Sequence, residues 1–136
     1  MPLFGNGNCI ALRLEVAGRR ALAVGLLFFA TLKFISPYNE RYALSIEGYY
    51  AAAMAEACLG ALLLRGKFVT VASLLTALLC WASIAITVMA DGDCGCGGSF
   101  FSIESRPFRF VLAAAGGVVS SCVMQYHLNR KASISP

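Results

Sequence analysis

Residues 68–90 form a run of 23 without a charge or a proline. About 20 apolar residues in a helix cross the hydrocarbon core of a bilayer. Backbone amides in lipid must be satisfied within a helix or a closed barrel. This run therefore restricts the chain more than any other feature. It is either a membrane span or a helix wrapped on all sides by a large soluble core. The second option needs polar residues to cover that core. Only 13% of the 136 residues are charged, against roughly 25% in soluble domains, while 59% are hydrophobic and the mean hydropathy is +0.73. The sequence thus predicts a membrane protein.

Three further apolar runs follow the same logic. They cover residues 21–35, extended at the start by 16–20, then 42–64, cleanest from Tyr49 onward, and 110–128. Unbroken Leu, Ala and Val without dyad alternation favour helices over barrel strands. The expected architecture is all-α, an integral membrane four-helix bundle in one domain spanning residues 1–136. Its spans fall near 17–35, 42–64, 68–90 and 109–128, with residues 91–108 as a loop. Arg19 and Arg20 before an apolar stretch also fit the start of a signal peptide. Lys33 interrupts that stretch and no small-x-small site follows before Pro37, so a retained span is expected.

Four spans put both termini on one face. That face then carries Arg13, Arg19, Arg20, Arg65, Lys67, Arg130 and Lys131, with Glu15 as its acid. The other face carries Lys33, Arg41, Arg106 and Arg109, with Glu40, Glu47, Asp91, Asp93 and Glu104. Lys and Arg in short loops mark the cytoplasmic side. Both termini are expected in the cytoplasm of a bacterial inner-membrane protein, and the 91–108 loop outside. The net charge of +4 comes from these flanking residues and forms no nucleic-acid patch.

The outward loop carries Asp91-Gly92-Asp93-Cys94-Gly95-Cys96-Gly97-Gly98. The outer compartment permits disulfides. A Cys-Gly-Cys bridge closes a small, strained ring, and strained, exposed bridges are the more reducible ones. Cys94 and Cys96 are therefore the candidate exchange thiols. Asp91 and Asp93 disfavour a thiolate nearby, and Arg106 and Arg109 offset this if the loop folds back. Two other readings stay open: a permanent clip on the loop, and a metal site. The second is poorly provided for, because two thiolates at this spacing chelate weakly and the single histidine, His127, falls at the opposite face. No metal is therefore assigned.

Cys58, Cys80 and Cys122 fall inside spans, where isolated cysteines usually serve as small packing residues. Cys9 precedes the first span. Glu56 is the one carboxylate well inside a span, so it should face the bundle interior, paired or protonated. Lys33, near the outer end of the first span, is expected to snorkel toward the headgroups or to pair with Glu47 or a loop aspartate. His127 reads as an interfacial residue. Alanines 51–53, 55 and 57 with Gly60, and residues 113–117, allow close helix approach.

Taken together, several of these residues resemble the MauE family, the methylamine-utilisation-type membrane proteins related to the DoxX-like group. The resemblance rests on Ala30-Thr31-Leu32-Lys33 with Pro37, Glu56 followed by Leu59-Gly60-Ala61-Leu62, and Asp93-Cys94-Gly95-Cys96-Gly97 after the third run. It covers about residues 19–128, and the Asp-Cys-Gly-Cys loop is its specific part. Gly97-Gly98 stands where the family tends to have Phe-Gly, and Phe110 stands where a polar residue usually opens the fourth span.

The resemblance implies thiol–disulfide handling during maturation of an exported or membrane redox protein, with a periplasmic or membrane client as partner. It extends to quinone-linked thiol oxidation, although no cofactor is evident in the sequence itself. Whether the chain is a thiol–disulfide oxidoreductase in its own right stays open. The alternative expectation is a non-catalytic accessory subunit of a larger membrane complex, with the cysteine pair as a clip.

Overall fold

The computed structural model describes residues 5–36, 38–40, 42, 44–89 and 106–134. Four helices follow one another: α1 (Gly5–Ile35), α2 (Ile46–Arg65), α3 (Val69–Met89) and α4 (Arg106–Ile134). No strand occurs among the described residues. The all-helical expectation therefore holds. α3 and a 21-residue stretch of α4, Phe110–Arg130, are long and apolar enough to cross a membrane. Only 28% and 17% of these two stretches are buried, so neither is the wrapped core helix of a soluble protein.

α1 and α2, expected from the sequence as further spans, do not meet that standard. Arg19, Arg20 and Lys33 bracket the apolar part of α1, and α2 carries Glu56 in mid-helix and tyrosines at its start. α1 also begins well before the apolar run, so Cys9 lies within the helix rather than ahead of it. Residues 5–16 supply Leu, Ala, Glu and Arg, all good helix formers, and the extension packs on α4. α2 starts at Ile46, later than the hydrophobic pattern suggests. Ser45 caps it, with its Oγ accepting the Gly48 N–H at 3.2 Å. Such a cap satisfies one of the amides a helix start leaves free. Tyr42 sits before the cap and stacks on Tyr49 at 5.3 Å between ring centroids.

The turn from α2 to α3 is tight. Gly66 takes φ 67° and donates its N–H to the Leu63 carbonyl, and Phe68 takes φ 54°. Both lie in the left-handed region, which glycine enters freely and a phenylalanine does not.

All neighbouring helices run antiparallel. Across α1 and α2, Lys33 meets Glu56 and Leu27 meets Gly60. Across α3 and α4, Ser120 Oγ donates to the Ser73 carbonyl at 2.6 Å, and the site of Gly117 lies against the Trp81 ring. Across α1 and α4, Gly18 faces Val123 and Glu15 faces His127. The bundle is thus two tight hairpins, α1–α2 and α3–α4, which meet more sparsely along α1–α4 and α2–α3. The N-terminal part of α1, the α2–α3 turn and the C-terminal part of α4 share one end. Ile35, Ile46, Met89 and Arg106 share the other.

An apolar core of Ala23, Leu59, Leu63 and Ala72 coexists with buried polar groups and an apolar outer surface. Large apolar side chains are exposed on every helix, including Val24, Phe28, Met54, Val71, Leu78 and Val111. The buried set includes Lys33, Glu56, Ser73, Thr76 and Ser120. Apolar surface this continuous marks a membrane or a protein interface.

Candidate functional site

Lys33 and Glu56 are brought together in the interior. Lys33 Nζ donates to Glu56 Oε1 at 2.6 Å, and the two residues are 1% and 8% exposed. The sequence expectation for Lys33 is overturned here. It neither snorkels to the headgroups nor pairs with Glu47, which is exposed at the start of α2. The cause lies in the register of the α1–α2 hairpin. Gly60 has no side chain, so α2 settles close to α1. A Cβ at Gly60 would stand 2.9 Å from Leu27 Cγ and 3.1 Å from the Ala23 carbonyl oxygen. From that contact, four residues of α2 toward its start lead to Glu56, and six residues of α1 beyond Leu27 lead to Lys33, whose long side chain leans back toward the start of its helix. Isolated burial of either charge costs several kcal/mol. Together they form a pair with no net charge.

Glu56 also lines a half-enclosed cavity of about 290 Å³ at the seam between the two hairpins. Its walls come from all four helices, with Leu22, Gly25, Leu26 and Phe29 on α1 and Thr76, Leu79 and Cys80 on α3. Leu112, Ala113 and Gly116 line it from α4. The hydroxyls of Thr76 and Ser83 donate to the Ala72 and Leu79 carbonyls of their own helix. Glu56 is the one carboxylate in the lining, and its Oε2 is buried without a hydrogen-bond partner among the described residues.

A second polar cluster joins α1 to α4 at the opposite end. His127 Nδ1 stands 3.1 Å from Glu15 Oε1, and Arg130 Nη1 stands 3.8 Å from Glu15 Oε2. Glu15 is buried although its partners are partly exposed. The reading of His127 as a lone interfacial residue missed this contact. No local spacing announces it, because the partners lie 112 positions apart.

The sequence-predicted thiols fare differently. Cys94, Cys96, Asp91 and Asp93 lie outside the described residues, and Arg106 and Arg109 are described only as backbone in the first turn of α4. Cys80 lines the cavity. Cys58 and Cys122 are exposed on the helix surface rather than packed between helices. The chain's small residues divide in the same way: Ala53 and Gly60 are buried, whereas Ala51, Ala55 and Ala61 face outward. Among the described residues no three His, Cys, Asp or Glu side chains converge as a metal site.

Comparison with protein-family models, curated proteins and solved structures finds no match for the chain.

Proposed function

We propose that the chain is a multi-pass protein of a bacterial cytoplasmic membrane that handles thiol–disulfide exchange for an exported or membrane redox protein through Cys94 and Cys96. One observation carries this reading. The two helices able to cross a membrane, α3 and α4, pair antiparallel, and the Cys-Gly-Cys segment belongs to the connection between Met89 and Arg106. Cys94 follows the end of α3 by five residues, and five residues of extended chain reach at most about 17 Å. The helix ends that flank this connection lie at one end of the bundle, opposite the start of α1 and the end of α4. The basic residues gathered at the terminal end favour a cytoplasmic location for it, and so an oxidising location for the pair. The resemblance to the MauE family supports the same reading.

The chemistry is a two-step exchange. In the oxidising direction, a client thiolate attacks one sulfur of a Cys94–Cys96 bridge, forming a mixed disulfide and releasing the other cysteine as thiolate. A second client thiolate then attacks the mixed disulfide, leaving the client oxidised and both loop cysteines reduced. Two electrons have moved from client to loop. Repeated turnover needs an acceptor for them, and a membrane quinone is the fitting class.

Replacing Cys94 or Cys96 with Ser tests this. Each variant is expected to accumulate in the membrane at the native level and to leave the client's thiols reduced. Full client oxidation in both variants would refute the proposal.

A second reading has its own observation. α2 turns Ala51, Ala55, Cys58 and Ala61 outward around an exposed Met54, a face with small side chains on which another helix can pack. An accessory subunit of a larger membrane complex would use this face, with the thiols as a permanent clip. Co-purification with a partner in fixed ratio, lost when Ala55 is replaced by Phe, is its expected signature.

A further inference from the structure

We infer that the cavity between the two hairpins is a binding site for a neutral, hydroxyl-bearing lipophile, whose O–H donates to Glu56 Oε2. Four observations converge on it. First, the cavity is large. At about 290 Å³ it exceeds the roughly 150 Å³ apolar cavity that suffices to hold benzene. Second, small residues create the space. A Cβ built on Gly25, in the cavity wall, meets nothing within 4 Å. Third, the lining is mainly hydrocarbon: besides the Cys80 thiol and the Thr76 and Ser83 hydroxyls, which donate to carbonyls of their own helix, it holds Glu56, whose Oε1 is taken by Lys33 while Oε2 stays buried and unpartnered among the described residues. A buried acceptor without a donor is costly, so a ligand that donates there gains what the bundle alone leaves unmet. Fourth, the lining residues that are exposed are Ala21 on α1 and Leu112, Ala115 and Val119 on α4. The mouth therefore opens along the α1–α4 seam, amid apolar surface.

Charge decides the kind of donor. Lys33 and Glu56 together are neutral wherever their shared proton sits. A cationic ligand would add an uncompensated charge, and an anion would meet the carboxylate. A neutral hydroxyl on a hydrocarbon body satisfies both the acceptor and the walls. Two sources share this chemistry: an alcohol lipid with a flexible chain, and a phenol or hydroquinone with a ring. The inference is independent of the thiol reading, since no residue of the 90–105 connection enters it.

The test uses the full chain in detergent and native mass spectrometry to count bound probe. The probes are 1-dodecanol, 4-nonylphenol and the methyl ether of each. One alcohol or phenol per chain is expected, bound about tenfold more tightly than its ether, as one hydrogen bond to a buried acceptor provides. The better of the two hydroxyl probes identifies the source. Gly25→Leu puts a side chain into the cavity from a position where a Cβ meets nothing within 4 Å, and is expected to abolish binding. Lys33→Leu combined with Glu56→Leu removes the acceptor without stranding a charge, and is expected to leave hydroxyl and ether probes bound equally. Equal binding of hydroxyl and ether by the native chain would overturn the inference. So would unchanged binding by Gly25→Leu, or no binding of any probe.

Discussion

Lys33 and Glu56 are both charged groups buried in the bundle, and they meet the electrostatic cost of burial jointly. Removing one partner strands the other in an apolar interior, which costs about 3–5 kcal/mol for a buried pair. Lys33→Ala and Glu56→Ala are each expected to lower stability by that order. Lys33→Leu with Glu56→Leu is expected to recover most of it. Resistance to unfolding by added sodium dodecyl sulfate in mixed micelles checks this. Single variants as stable as the native chain would show that the pair does not form. The sequence discloses one half of this arrangement. A carboxylate inside an apolar run must turn inward, so Glu56 is legible from its neighbours alone. Its partner is not, because Lys33 lies 23 positions away and helix register, not local pattern, joins them. A lysine close to a helix end looks able to reach water until the structure shows it buried.

At the level of elements, glycine positions discriminate between packing and open space. Gly60 sits where α2 presses on α1, with no room for a Cβ, whereas Gly25 borders the cavity with room to spare. Gly60→Ala is expected to destabilise the hairpin by about 1–3 kcal/mol, the usual cost of overpacking. Gly25→Ala is expected to be neutral or to stabilise by up to about 1 kcal/mol, since alanine favours helix. The same detergent unfolding assay compares them, and equal losses at both positions would contradict the packing described. The helices themselves were largely legible from hydrophobic runs. Their ends were not. The start of α2 is set by the Ser45 cap rather than by hydrophobicity, and α1 continues toward the N-terminus through residues that favour helix without being apolar. The Glu15–His127 contact depends on that extension, which is why it escaped the sequence.

For the whole molecule, the decisive property is the separation of two ends. Basic residues, the termini and the α2–α3 turn gather at one. The helix ends flanking the Cys-Gly-Cys connection gather at the other. This order was readable in the sequence because four apolar runs and the distribution of Lys and Arg suffice to write it. The cavity at the seam between hairpins was not readable, since it depends on how four helices fail to fill the space between them. The central claim joins the ends to chemistry: Cys94 and Cys96 face the oxidising side and exchange with a client. The most direct measurement treats intact cells with a membrane-impermeant maleimide, before and after reductant, and reads the mass of the peptide holding both cysteines. The account predicts a mixture of bridged and free thiols that reductant shifts to full labelling, together with a mixed-disulfide adduct to a second protein. A pair that labels only after the membrane is breached, or one that stays wholly bridged without any adduct, would contradict it.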